Sequence, residues 1–255
     1  MVAASESREA AIERLRPFAE RADGFSGWTF DFEPRHLGPP LPWSYEDLVR
    51  AHARGTTSVL DLGTGGGERL AAMRDGLPQR VVATEEWPVN APVARALLAP
   101  LDIDVVHAAD ESSPFATRSF DLVINRHSAF DPSEVARILR PGGAFVTQQV
   151  GRGDWSELVP HFPRLHDWGD LLGRYSTELR TLGFNVTVHE HRERVAYPSL
   201  GEFVYMLSVA SWTIPDFDLE RDIDALLALE RDCLTDEGFV VTEDRYLLTA
   251  RKPAY

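Results

Sequence analysis

The chain holds a single cysteine, Cys233, among 255 residues. One thiol excludes an internal disulfide framework and fits a reducing, cytoplasmic setting. Long hydrophobic runs are missing as well. No uninterrupted apolar stretch approaches the roughly 18 residues of a membrane-spanning helix, so none is expected. The opening "MVAASESREAAIERLRPF" is polar and acidic, with neither a basic nor an apolar leader region, and no secretory signal is expected from it. Positive charge is scarce: 26 Lys and Arg stand against 40 Asp and Glu, a net charge of −14. Nucleic-acid binders neutralise phosphates with a positive face. No basic run here exceeds a residue or two, which favours a small-molecule partner over RNA, DNA or an anionic membrane. Internal repeats and low-complexity segments are also lacking. A monomer or homodimer is expected.

What the chain has in quantity is short Val-, Leu- and Ile-rich runs alternating with helical patterns. Strands are expected at 57–61, 80–84, 104–107, 121–125 and 144–150, without strict polar alternation, as in strands covered on both faces. Helices fit between them at 68–75, 90–99 and 132–140. The last opens on Asp131 with Pro132 at its first position and Glu134 in a capping-box-like pattern, and "PGG" at 141–143 closes it. Such alternation implies right-handed crossovers and a parallel sheet, a doubly wound α/β core. Flanking it are a helix at 5–22, an aromatic Pro/Gly loop, and a helix opened by Ser44 with Asp47 three residues on. Beyond the core come a helix at 168–182, a strand at 185–193, helices at 200–212 and 219–234, and a final strand pattern in "FVVTEDRYLLTAR". The helix at 200–212 is apolar nearly all round. It reads either as a core helix or as a lid whose second face lines a pocket, with a slight lean to the lid.

"VLDLGTGGGERL", from Val59 to Leu70, is a glycine-rich strand-to-helix turn. A phosphate-gripping loop would follow its glycines with Gly-Lys-Ser/Thr, yet Glu68 follows Gly67. A dinucleotide fingerprint would place Gly or Ala where Glu68 stands, and the carboxylate points where a pyrophosphate would lie. S-adenosylmethionine has no phosphate and carries an ammonium and a sulfonium, so a tight turn beside carboxylates suits it. Glu85 follows 24 residues after Asp61 and ends the second expected strand. Acids in such positions bind ribose hydroxyls in α/β nucleoside sites. Asp61, Glu85, Asp110 and Asn125 all project from the carboxyl ends of expected strands, where open parallel sheets bind ligands.

Together with "VVATEEWP", "AADESSPFATRSFDLVINRH" and "EVARILRPGGAFVTQQV", that turn resembles the class I S-adenosylmethionine-dependent methyltransferases of the ubiquinone-biosynthesis-like, small-molecule type. The matching stretches cover roughly 57–150 in order and spacing. The resemblance implies a seven-stranded, mostly parallel, Rossmann-like sheet in one domain. It divides the chain into an N-terminal helical cap (1–55), a donor-binding core (56–198), a helical lid insertion (199–238) and a last strand (239–255) pairing antiparallel at the sheet edge. Asp61, Gly63, Thr64 and Gly65 would hold the methionine part of the donor and Glu85 its ribose, with Glu86 and Trp87 flanking the adenine. Asp110 or Glu111 would face the adenine amino group, since "AADESSPF" is offset by one residue from the family pattern. Asn125 would belong to the donor shell, and the cap and lid would build the acceptor pocket.

Methyl transfer from a sulfonium is an in-line displacement that asks chiefly for alignment and exclusion of water. A base is needed only where the acceptor must lose a proton. His127, just beyond the fourth strand, is the candidate base; the alternative is a loop histidine bonded to backbone. Asn125 and Arg126 are read as structural or as part of the donor shell, with Arg126 alternatively the partner of an acceptor carboxylate. Gln148 and Gln149 are polar where a buried strand should be apolar, and either bind an acceptor or satisfy neighbouring loops. Trp28, Trp43 and Tyr45 stack on ligands or pin the N-terminal segment to the core, and Tyr205 and Trp212 on the presumed lid are further acceptor contacts. His189, His191 and Glu193 share a strand face but lack a third ligand, which speaks against a metal. A small-molecule acceptor methylated on oxygen, nitrogen or carbon, in specialised metabolism, is the expected function. RNA or protein methylation, an NAD-dependent oxidoreductase and a non-catalytic nucleoside-binding module are the alternatives.

Overall fold

The computed structural model describes residues 6–109 and 113–254. Asp110 and Glu111, the two adenine candidates, lie outside the described residues. The five expected core strands are present as β2 (Ser58–Leu62), β3 (Arg80–Glu85), β4 (Ile103–His107), β5 (Phe120–Arg126) and β6 (Leu139–Val150), all in parallel pairing. Among the described residues one sheet has nine strands. Besides the five, these are β1 (Arg35–His36), β7 (Asn185–Tyr197), β8 (Leu234–Thr235) and β9 (Gly238–Arg251), all antiparallel to their neighbours. The count exceeds seven because β1 and β8 are two-residue pairings.

The order along the sheet is β1-β7-β9-β6-β5-β2-β3-β4, which corrects one expectation. The last long strand is not at the edge. It is inserted between β6 and β7, paired from Ala144↔Arg251 to Val150↔Arg245 on one side and along all of β7 on the other. Phe239, Val240, Val241, Leu247, Leu248 and Ala250 are all buried, so both faces of this strand are covered, as in a strand inside a sheet, while its two edges are hydrogen-bonded to β6 and β7.

Helices α2 (Tyr45–Ala53), α3 (Glu68–Met73) and α4 (Asn90–Leu98) cover one face of the parallel sheet; α5 (Pro132–Ile138) and α6 (Leu171–Thr181) cover the other. Ser44 caps α2 by accepting from the Asp47 amide at 3.2 Å, and Asp131 caps α5 by accepting from the Glu134 amide at 2.8 Å. The Glu134 carboxylate does not reach back to complete a box. It accepts from the Ser113 amide and hydroxyl and from Arg137 instead. A third core lies beyond the sheet end, where α1 (Arg8–Glu20), α7 (Leu200–Val209) and α8 (Leu219–Cys233) pack together. Here the lean towards a lid is corrected. Helix α7 is apolar all round because Phe203, Val204 and Leu207 are enclosed by α1, α8 and the inner faces of β7 and β9, which makes it a core helix.

The two stretches "SFDLV" and "LRPGG" meet at the end of the sheet opposite the glycine turn. Asp121 accepts from the Thr57 amide (2.8 Å) and hydroxyl (2.7 Å), from the Ser58 amide (3.1 Å) and hydroxyl (3.0 Å), and from Arg140 (2.8 Å). Burial alone would raise its pKa, but these donors outweigh burial and hold the carboxyl far below the usual range. Gly143 has no room for a side chain: a Cβ there would stand 2.9 Å from both the Arg140 and Asp121 carbonyl oxygens.

Asp121→Ala strips one acceptor from several donors at once and is expected to destabilise the chain by about 2–4 kcal/mol. Urea unfolding measures this. Because the folded pKa is depressed, the wild-type contribution is whole above the unfolded carboxyl pKa and fades only in strong acid. A loss below about 0.5 kcal/mol would mean water replaces the carboxylate at no cost.

Candidate functional site

Three parallel strands deliver the site at their carboxyl ends. From β2 the chain enters the glycine turn, where Gly63 (φ +68°), Gly65 (φ +64°) and Gly67 (φ +88°) adopt the left-handed conformation that only glycine reaches without cost. The turn is tied to the end of β3. The Gly63 amide donates to Thr84 Oγ1 (3.2 Å), the Thr64 amide to the Thr84 carbonyl (2.9 Å) and the Gly65 amide to Glu85 Oε2 (2.6 Å). The other carboxylate oxygen of Glu85 accepts from the Trp87 amide at 2.9 Å. Glu86 and Trp87 continue as an exposed lip. Thr64 Oγ1 is buried without a hydrogen-bond partner among the described residues.

The N-terminal segment lies across this turn. The Gly27 amide donates to Asn90 Oδ1 (2.7 Å) and the Trp28 amide to Glu68 Oε1 (3.1 Å). A Cβ on Gly65 would stand 2.4 Å from Trp28 Cδ1, so the indole rests directly on the turn. Trp28 belongs to an aromatic cluster with Phe25, Phe30 and Trp212, while Tyr205 packs against Phe25, Phe30 and Phe32.

Beyond the ends of β5 and β6 opens a cavity of about 370 Å³. Trp43, Tyr45, Arg126, His127 and Gln148 line it, five of the residues named from sequence as acceptor contacts or base. Trp28, Gln149, Tyr205 and Trp212 do not. Gln149 and Asn125 are instead spent inside the sheet. Asn125 is fully buried; its amide donates to the Leu62 carbonyl (3.0 Å), and its oxygen accepts from Thr147 Oγ1 (2.8 Å) and Gln149 Nε2 (2.5 Å). Gln149 also donates to the Ser128 carbonyl at 2.8 Å. Gln148, one residue earlier on β6, points the other way, into the cavity.

His127 has φ +54°, an uncommon conformation for a non-glycine residue, with its amide donating to the Gln148 carbonyl (2.9 Å). Its tautomer follows from its neighbours. The Trp43 indole can only donate and does so to Gln148 Oε1 at 2.9 Å, which turns the Gln148 amide nitrogen to His127 Nε2 at 3.4 Å. An amide nitrogen cannot accept, so Nε2 carries the lone pair. Its position deep in the molecule, then the charges of Arg126, Arg245 and Arg69, push the imidazole pKa well below 6.5, although the side chain keeps an open face on the cavity. Tyr45 donates to the Asn125 carbonyl (3.2 Å), and burial first, the Asp61 carboxylate second, raise its phenol pKa.

Sequence reasoning missed Arg69, Glu46, Glu243 and Arg245 at the cavity. Arg69 pairs with Glu46 at 2.5 Å, and Arg245 with Asp154 and with Glu243 (3.2 Å). They come from α2, α3, β9 and the loop after β6, and no spacing along the chain announces their meeting. At the cavity rim Glu193 lies 3.0 Å from His36 and 3.5 Å from His191, so that strand face is a cluster of polar side chains in contact with one another.

Residues 60–147 match the family model of a methyltransferase domain. No curated protein matches the chain. Among solved structures, the YcgJ protein of Bacillus subtilis is 20% identical, with a TM-score of 0.61 over 82% of this chain and 98% of its own. A [4+2]-cyclase, SpnF, is 16% identical with a TM-score of 0.55, covering 98% of both chains. A geranyl diphosphate methyltransferase solved with its diphosphate and sinefungin is 15% identical with a TM-score of 0.54, over 96% of this chain and 99% of its own. At such identities the likeness is one of fold. Residues 60–147 thus match a methyltransferase domain, and they sit in a chain that has the Rossmann-like methyltransferase fold.

Proposed function

We propose that this chain transfers a methyl group from S-adenosylmethionine to oxygen, nitrogen or carbon of a small-molecule acceptor. The observation that carries the reading is the closure of the glycine turn onto Glu85. The Gly65 amide, the kind of donor a pyrophosphate takes in a dinucleotide site, is already given to a carboxylate. A second anion there would be repelled, whereas a phosphate-free nucleoside with a cationic tail is attracted. The unpartnered Thr64 hydroxyl and the left-handed glycines fit the same group. Asp61, Gly63, Thr64 and Gly65 would hold its methionine part, Glu85 its ribose, and Glu86 and Trp87 its adenine. The net charge of −14 counts against an RNA acceptor.

Bound there, the donor supplies a methyl group already activated by a sulfonium. The remaining work falls to this chain's own residues. Trp28, laid over Gly65, excludes water from the turn. Trp43 and Tyr45 orient the acceptor in the cavity, and His127 takes its proton at Nε2, replacing the long contact to Gln148. The lowered pKa keeps this imidazole neutral, and therefore able to accept, throughout the neutral range.

S-adenosylhomocysteine at a hundred times its dissociation constant is expected to stabilise the chain by about 2.7 kcal/mol, visible as a rise in Tm. Glu85→Ala should abolish that rise, and NAD should cause none. A response to NAD alone would overturn the donor assignment.

The His127 ring is expected to titrate below pH 6.5 in a histidine NMR titration, with its charged form absent at pH 7. A midpoint at or above 6.5 would remove the physical basis for a neutral base at this position.

A further inference from the structure

We propose that the Arg126 guanidinium receives a carboxylate of the methyl acceptor, and that the acceptors of this chain are small aromatic carboxylic acids. The inference rests on the methyltransferase reading for the word acceptor, but the anion site is argued on its own.

Three guanidiniums face the cavity, and two are neutralised. Arg69 has Glu46, and Arg245 has Asp154 and Glu243. Arg126 forms no ion pair among the described residues, and its Nε is buried without a hydrogen-bond partner. A guanidinium presents five donors in a fixed fork that matches a carboxylate. Leaving a guanidinium nitrogen buried without a partner is costly, and an anion that reaches the fork offsets part of that cost. Burial, followed by the charge of Arg69, lowers the Arg126 pKa to about 10, which still leaves it fully charged at neutral pH.

The cavity also says whose carboxylate this is. It is lined by the rings of Trp43 and Tyr45 and by His127, and includes neither a residue of the glycine turn nor Glu85. The donor's own carboxylate belongs with the turn; an aromatic acid belongs between those rings, its carboxylate on Arg126 and its nucleophile towards the adjacent His127. A volume of about 370 Å³ is at the small end of ligand pockets.

Benzoate and the equally sized, neutral benzamide are the probes, titrated calorimetrically with wild type, Arg126→Met and Arg126→Lys, alongside S-adenosylhomocysteine and 5′-methylthioadenosine, which lacks the amino-acid part. Wild type should prefer benzoate by about tenfold or more, as expected of a charge pair made in a cavity. Arg126→Met should lose the preference and Arg126→Lys keep part of it, with S-adenosylhomocysteine affinity unchanged throughout. Equal binding of benzoate and benzamide to wild type would overturn the proposal with no variant needed. A preference that survives in Arg126→Met would also overturn it. So would a loss in that variant of S-adenosylhomocysteine but not 5′-methylthioadenosine affinity, since the arginine would then hold the donor's carboxylate. Should wild type bind benzoate as expected but no S-adenosylhomocysteine, the anion site stands and the methyltransferase reading falls.

Discussion

One buried amide fastens the functional end of the sheet. Asn125 donates to the last carbonyl of β2, at Leu62, and accepts from Thr147 and Gln149 of β6. Each strand so joined delivers part of the site: β2 runs into the glycine turn, β5 into Arg126 and His127, and β6 presents Gln148. With every strong hydrogen bond satisfied and no exposure to solvent, such a network rigidifies its surroundings instead of destabilising them. It ties the strand that enters the glycine turn to the two strands that border the cavity. Asn125 therefore acts on the site through position.

The glycine turn was legible in the sequence because its signals are local. Val59 to Leu70 contain a strand, a turn needing left-handed glycines and a helix start, and Glu85 lies one crossover away. The structure joins them in a single hydrogen bond. The pairing of Asp121 with Arg140 likewise accounts for two distant stretches of the family pattern through one contact. Strand existence was readable for the same reason, since apolar runs bounded by turn residues carry their own signal.

Elsewhere the signal was tertiary. The family resemblance places the final strand at the sheet edge, and nothing along the chain says that both of its edges find partners; only the pairing with β6 and β7 does. The all-apolar α7 was ambiguous by composition, and its enclosure by α1 and α8 decides it. At the acceptor site, Arg69 and Arg245 are ordinary charged residues of a helix and a strand until the fold brings them beside Arg126. Gln148 and Gln149 look equivalent in sequence, yet the two-residue period of β6 sends one to the cavity and the other into the Asn125 network.

The arginines and the histidine form one electrostatic device. Desolvation first, and positive charge second, make His127 a weak base, which taken alone argues against catalysis. The same field lowers the free energy of any anion in the cavity, and a hydroxyl that has given up its proton is an anion. Each guanidinium that weakens the base also stabilises the deprotonated nucleophile, so the cost of proton removal is divided between the two rather than borne by the imidazole. Carboxylates compensate Arg69 and Arg245, while Arg126 has no ion pair among the described residues, so the positive field of the cavity is concentrated at Arg126. Solved relatives of this fold include both a methyltransferase and a cyclase, so the scaffold does not decide the chemistry. In this chain the charge distribution of the cavity is set by side chains of α2, α3, β5 and β9 that only the fold brings together.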